Sequence, residues 1–162
     1  FMRIIIMSIL MLLPSIAPSQ VVSSEKADLG NLLKRMYAAQ SLSGVKIVET
    51  YDSQYLVAVI SLDTHKYTTM DVAQRVARIK AESQINTFLN GSYSKTELLV
   101  TVKETQSRDS VQTVVESIER IREDSAGFVR GMELLVSFPD ESNTKNVVFV
   151  YGKIVEADNS HK

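Results

Sequence analysis

Residues 69–104 read TMDVAQRVARIKAESQINTFLNGSYSKTELLVTVKE, and this stretch decides the fold class. Its first part carries apolar residues every three or four positions, with alanines spaced by four beside them. This spacing predicts an amphipathic helix over residues 69–90 that lies close to a sheet. The side predicted to be buried consists of Val72, Val76, Ile79, Ile85, Phe88 and Leu89. Asn90-Gly91 predicts a left-handed helix stop, and the alternating residues 94–104 predict a strand with one wet face.

The same periodicities predict elements on both sides of this stretch. In chain order these are a helix from Asp28 to about Gly44, strands 45–50 and 55–62, the helix 69–90, the strand 94–104, a helix 110–124, and strands 131–138 and 146–155. The strand over residues 55–62 is apolar on both faces, which predicts a central place in the sheet.

The order α-β-β-α-β-α-β-β predicts an α+β fold. We expect a two-layer sandwich, in which helices cover one face of an antiparallel or mixed sheet. The two helices over residues 69–90 and 110–124 should lie on the same face. A single domain is expected over residues 28–156, with a tail at 157–162.

The first residues of the chain have the order of a secretory signal peptide. Arg3 gives a positive start, residues 4–13 are apolar apart from Ser8, and small residues precede Gln20. The apolar run is too short for a membrane span, which needs about 20 residues. We therefore predict a signal peptide over residues 1–19, cleavage after Ser19, a flexible leader over 20–27, and a periplasmic or secreted mature protein without a transmembrane anchor.

Composition narrows the classes of partner. Hydrophobic residues make up 44% of the chain and charged residues 23%, values typical of globular proteins. The 18 basic and 19 acidic residues leave a formal net charge of −1, so the sequence predicts no nucleic-acid partner. Cysteine is absent. The sequence therefore provides no disulfide, no thiol nucleophile and no attachment point for a bacterial lipid anchor.

Three short segments resemble the Lpp-twenty family of small outer-membrane lipoproteins. These are residues 55–59, residues 71–81 with Ala73, Ala77, Arg78 and Ala81 in an A-x-x-x-A-R-x-x-A pattern, and residues 85–91. Gly131-Met132-Glu133 and Val148-Phe149-Val150 resemble that family's closing hairpin. The likeness covers residues 45–154 and lacks the lipid-bearing cysteine. It implies an envelope or surface protein, and it carries over no catalytic residue.

The sequence nominates no catalytic, cofactor-binding or metal-binding residue, and predicts no cofactor. Asp63 and His65 form the closest approach to a catalytic pair, but a relay needs further partners. Glu116, Glu119 and Glu123 lie on one helix with Arg120 and Arg122, which favours a solvated, salt-bridged face. Asn90-Gly91-Ser92 matches a glycosylation sequon, although a helix stop also explains it. Tyr93, Phe149 and Tyr151 are expected to pack in the core or on the sheet.

Two classes of function remain open from the sequence. The first is a non-enzymatic protein-binding or structural module of the cell envelope. It would use an exposed sheet face or edge, for example the polar side of residues 94–104 with Lys95 and Thr101, and a homo-oligomer is compatible with it. The alternative is an accessory subunit of an envelope enzyme, or a weak hydrolase that uses Asp63 and His65. A convergent polar pocket at these two residues would favour the alternative.

Overall fold

The computed structural model describes residues 19–50, 53–91, 99–101 and 108–155. The helices are α1 (Ser19–Ala38), α2 (Met70–Asn90), α3 (Arg108–Glu123) and α4 (Ser125–Arg130), and a 3-10 turn spans Thr64–Lys66. The strands are β1 (Val45–Glu49), β2 (Gln54–Asp63), β3 (Leu99–Thr101), β4 (Glu133–Pro139) and β5 (Asn146–Val155). The element order predicted from the sequence is confirmed, with the short helix α4 added.

The five strands form one mixed sheet in the order β3-β1-β2-β5-β4. All neighbours run antiparallel except β1 and β3, which are parallel. The predicted α+β class and the central position of β2 are confirmed. The long pairing of β2 with β5 joins residues that are about 90 positions apart in the chain, from Gln54 opposite Val155 to Asp63 opposite Asn146.

Helices α2, α3 and α4 cover one face of this sheet, as predicted for the first two. The core on this face contains Ile118 of α3, Phe128 of α4 and apolar side chains of β1, β2 and β5. Helix α2 contributes its buried stripe of Ala73, Ala77, Ala81, Ile85 and Leu89. The alanines lie against the sheet because their small side chains allow the closest approach.

The prediction that Ile79 is buried is wrong. Its side chain is 65% exposed and Val72 is 38% exposed, whereas Val76 is half-buried at the edge of the core. Positions 77 and 79 differ by two residues, or about 200° around an α-helix. A helix that buries the alanine stripe therefore turns Ile79 toward solvent.

The opposite face of the sheet is covered by α1, which corrects the expected two-layer arrangement. Leu29, Leu33 and Met36 of α1 form a second buried cluster with Val57 and Val59 of β2 and with further residues of β1, β4 and β5. The sheet thus lies between two helical layers. The apolar character of both faces of β2 explains this arrangement, because one helical layer covers only one of them.

Several predicted boundaries also change. Residues 20–27, expected to be a flexible leader, lie within α1, where residues 25–28 are exposed and Lys26 contacts Glu133 of β4 at 3.2 Å. Gly91 ends α2 in an extended conformation (φ −92°, ψ 173°), so the predicted left-handed stop is wrong. Residues 1–18, most of the predicted strand 94–104 including Lys95, and the tail lie outside the described residues.

Candidate functional site

A cavity of about 610 Å³ lies where the end of α1 meets the turn between β4 and β5. Its volume is in the range of sites for small ligands. Its lining residues are Lys34, Tyr37, Ala38, Gln40, Leu42, Ser43, Phe138, Pro139, Asp140, Glu141 and Ser142. Four of these residues are apolar and seven carry polar or charged groups, so the lining is mixed, and its polar groups converge from two parts of the chain.

Asp140 is the central polar group of this cavity. It is 5% exposed, and among the described residues it is the only buried polar or charged one. Its Oδ2 accepts hydrogen bonds from the hydroxyls of Tyr37 (2.9 Å) and Ser61 (3.4 Å). Its Oδ1 accepts from the hydroxyl of Ser142 (2.6 Å) and from the Ser142 backbone N–H (3.0 Å). These four bonds occupy the roughly four acceptor positions of a carboxylate.

The hydrogen bonds keep Asp140 ionised. The hydroxyl of Ser142 has the largest effect, and together with Tyr37 and Ser61 it lowers the pKa of the Asp140 carboxyl, against the opposite effect of burial. Burial, followed by the hydrogen bond to Asp140, raises the pKa of Tyr37. A saturated carboxylate with a lowered pKa is a poor general base. The arrangement is suited to binding and to holding the turn.

Local structure places both sides of the cavity. On one side, Tyr37 lies in the last turn of α1, and its ring meets that of Phe138 edge-on at 5.5 Å between centroids. On the other, Asp140 follows β4, and the bond from the Ser142 N–H to its side chain is typical of an Asx turn. The turn also bonds the Asn143 N–H to the Asp140 carbonyl at 3.2 Å. Tyr37 is thus positioned by a helix and Asp140 by a tight turn, and neither lies in a long loop.

Gln40 lies at the rim in a left-handed conformation, with φ +58°. The Ser41 N–H bonds the carbonyl of Met36 (3.0 Å), and the Gln40 N–H bonds that of Tyr37 (2.9 Å). This pair of bonds is a Schellman motif, in which the left-handed position is usually glycine. A glutamine there carries a backbone cost of about 1 kcal/mol, and the residue is part of the cavity lining.

The free edge of β4 is a second candidate surface. In the described part of the chain, β4 pairs with β5 alone, and its three consecutive apolar residues Leu134, Leu135 and Val136 are half-buried. The Asp140 N–H donates to the carbonyl of Asn146 (3.0 Å), and hydrogen-bonded pairs alternate along an antiparallel ladder. In the observed register the Ser137 N–H therefore points away from the sheet.

Asp63 and His65 are close together, but their arrangement is that of a turn. The Asp63 carboxylate caps the 3-10 turn by accepting the His65 backbone N–H (3.1 Å), and lies 3.5 Å from His65 Nδ1. The imidazole is 73% exposed. Neither residue lines this cavity or any of three further cavities, which lie beside α1, α2 and β4. None of these four cavities of the described residues therefore supplies the convergent pocket that would favour a hydrolase.

The other residues singled out from the sequence are now placed. Glu116, Glu119 and Glu123 are exposed on α3, and Asn90 is exposed with its amide bonded to the carbonyl of Asn86 at 2.9 Å. Phe149 and Tyr151 are core residues, as expected, and the Tyr151 hydroxyl donates to the Gln74 carbonyl. Tyr93 and Ser92 lie outside the described residues. Among those that are described, no group of three or more His, Asp or Glu is arranged to hold a metal ion.

The cluster formed by Tyr37, Ser61, Asp140 and Ser142 was not predicted from the sequence. Tyr37 and Asp140 are 103 residues apart, and each member is a common residue type in a turn, in a strand or on an amphipathic helix. The run Pro-Asp-Glu-Ser-Asn at 139–143 signals a turn. It gives no sign that the aspartate is buried, because burial depends on how α1 lies over the sheet.

Comparisons with known proteins identified no relative of this chain. No protein-family model matches the chain, and no curated protein or solved structure is similar to it. The resemblance to Lpp-twenty lipoproteins therefore stays a prediction from the sequence. None of the described helices is long and apolar enough to cross a membrane.

Proposed function

We propose that the chain is an exported, non-enzymatic module of the cell envelope or surface that binds a protein partner through the free edge of β4. The partner would add an extended segment beside β4 as a sixth strand. In such complexes main-chain hydrogen bonds supply affinity, and side-chain pockets on both faces supply specificity.

The main support for the proposal is that β4 is the edge strand of the sheet, with one side left unpaired by the described residues. Its middle presents half-buried Leu134 and Leu135, and the outward N–H of Ser137 is a donor for an added strand. Shallow cavities flank the strand near Glu133, one beside α2 with Arg75 and Arg78, the other beside α1 with Lys26.

Two features of β4 limit how far the added strand extends. A register shift lies between Leu134 and Val136, and Pro139 at the far end has no N–H. Bulges and prolines are common protections of edge strands. They restrict pairing to a short segment centred on Ser137, which suits a specific partner better than open-ended association of identical strands.

The alternative function, an accessory subunit of an envelope enzyme or a hydrolase using Asp63 and His65, has less support. Asp63 uses a carboxylate oxygen to cap its own turn, and the exposed imidazole of His65 lines none of the four cavities found among the described residues. General acid–base groups act best where burial or neighbours tune them.

The decisive experiment compares Ser137→Pro with Ser137→Ala. Ser137 is exposed, so neither variant should unfold the domain, and only proline removes the outward N–H. Partners are crosslinked and co-purified from the native envelope with each variant. We expect a specific partner with wild type and Ser137→Ala, and at least a tenfold loss with Ser137→Pro. Equal recovery with all three would overturn the edge as the binding surface.

His65→Ala and Asp63→Asn distinguish the enzymatic alternative in the same assay and in complementation. The proposal expects both variants to retain partner binding and biological activity. Loss of activity in folded His65→Ala, with Ser137→Pro active, would favour the hydrolase.

N-terminal sequencing of the protein from its source tests export. The expected first residue is Gln20, and a cytoplasmic chain that begins at Met2 would contradict export.

A further inference from the structure

We infer that the cavity between α1 and the β4–β5 turn is a binding site for an organic cation with an apolar body. This site is separate from the β4 edge and does not depend on the proposed partner. The inference combines the charge of Asp140, the direction of the hydrogen bonds around it and the composition of the walls.

The first step is the uncompensated charge of Asp140. Buried carboxylates are usually paired with a basic side chain, because neutral donors only partly offset the loss of water. Here the four hydrogen bonds all come from neutral groups, namely two serines, a tyrosine and a backbone amide. In the described structure no ion pair includes Asp140. The cavity wall therefore carries a negative charge at Asp140 that no described basic side chain pairs with, which favours a cationic ligand.

The second step is the direction of the hydrogen bonds. The hydroxyls of Tyr37 and Ser142 each donate their single proton to Asp140. Their oxygens line the cavity with lone pairs that remain available as acceptors. A ligand group beside these two oxygens must donate hydrogen bonds, as an ammonium or guanidinium group does, whereas donors in the lining are supplied elsewhere, by Lys34, Gln40 and Ser43.

The third step is the shape of the rest of the cavity. Exposed Ala38 and Pro139 supply apolar surface beside the polar groups, together with the small accessible part of Phe138. At the rim, exposed Glu141 and Lys34 have opposite charges, so the net formal charge of the lining residues is −1 when Asp140 is added. The cavity thus suits a molecule whose cationic end reaches Tyr37 and Ser142 and whose apolar part covers Phe138.

Gln40 supports a role for this rim beyond folding. A glutamine occupies a left-handed position that glycine fills at lower cost, and this residue is part of the cavity lining. Backbone cost of this kind is concentrated at ligand sites. The Gln40 amide can contact the bound molecule, whereas glycine cannot.

The test uses two probes with the same apolar body and opposite charge, 4-phenylbutylamine and 4-phenylbutyrate. Each is titrated into the purified protein at pH 7 while backbone amide shifts are followed by NMR. We expect saturable shifts of residues 37–43 and 138–142 with the amine, at least tenfold weaker binding of the carboxylate, and weaker amine binding at high salt. Equal affinity for both probes, or no saturable binding of the amine, would overturn the inference.

Variants separate the site from general attraction to an acidic surface. Ser142→Ala removes one lining oxygen, while the Ser142 backbone N–H still bonds Asp140, so the domain should fold and bind the amine several-fold more weakly. Glu133→Gln removes a negative charge outside the cavity and should bind as wild type, which tests general attraction to acidic surface. An equal loss in both variants would contradict a defined site. Partner capture through β4 plays no part in these readouts, so each proposal fails independently.

Discussion

The hydroxyl of Tyr37 donates a hydrogen bond of 2.9 Å to Asp140, which lies 103 residues later in the chain. This bond fastens the C-terminal turn of α1 to the β4–β5 turn. It also determines the chemistry of the cavity, since it turns the tyrosine proton toward the carboxylate and leaves the oxygen lone pairs for a ligand. Stability and the proposed binding site therefore depend on the same pair.

Replacing Asp140 by Ala should destabilise the domain by about 2 kcal/mol, because it removes the charged acceptor of four part-buried hydrogen bonds. Tyr37→Phe removes one donor and should cost about 1 kcal/mol. Chemical denaturation gives both values, and the double variant should cost less than their sum because the two residues interact. The neighbouring exposed Glu141→Gln is the control, with an effect within about 0.5 kcal/mol. An Asp140→Ala protein as stable as wild type would show that the cluster is not formed.

The lowered pKa of Asp140 also predicts a dependence on pH. An aspartate whose pKa is lower in the folded state contributes stability that is fully present above its unfolded pKa of about 4. This contribution is lost as the pH falls through the folded pKa. The difference in unfolding free energy between wild type and Asp140→Asn should therefore be constant from pH 5 to 7 and shrink below about pH 4. A difference that grows on acidification would contradict the assignment.

Helix α2 provides a test of which face is buried. Ala77 is fully buried and Ile79 is 65% exposed, so the smaller residue is the sensitive one. Ala77→Asp should prevent folding, because an unpaired charge in the core costs several kcal/mol. Ile79→Asp should change stability by less than about 1 kcal/mol. Thermal unfolding of the two variants tests this prediction. An unfolded Ile79→Asp protein would show that the face of α2 that carries Ile79 is the buried one.

The case of Ile79 shows what the sequence can predict here. Apolar periodicity located α2, and two-sided apolarity placed β2 at the centre of the sheet. Periodicity did not tell which of two adjoining stripes is buried, since the choice of alanines over larger residues depends on the distance to the sheet. The helical layer formed by α1 was not predicted for a similar reason. Leu29 and Leu33 predict that one face of α1 is buried, but they do not indicate which side of the sheet it covers.

Candidate site residues were still less predictable than the helices. Tyr37, Ser61 and Asp140 come from three elements and meet because β2 pairs with β5 and α1 crosses the far face. Local sequence around each of them indicates only a helix, a strand and a turn. A buried charge formed by such long-range contacts leaves no periodic or motif signal.

The last prediction concerns two residues with positive φ, Gln40 at +58° and Gly44 at +62°. Gln40→Gly should stabilise the domain by about 0.5–1 kcal/mol, because glycine adopts this conformation without the Cβ conflict, and the gain exceeds the extra freedom of the unfolded chain. Gln40→Ala, which keeps a Cβ, is the control and should show no gain. Gly44→Ala should cost about 1 kcal/mol although a Cβ there meets no atom within 4 Å, so the loss measures backbone conformation alone. If the glutamine serves the proposed cation site, Gln40→Gly should also weaken binding of 4-phenylbutylamine while it raises the melting temperature. If Gln40→Gly is more stable than wild type but binds 4-phenylbutylamine with the same affinity, Gln40 has no part in the site.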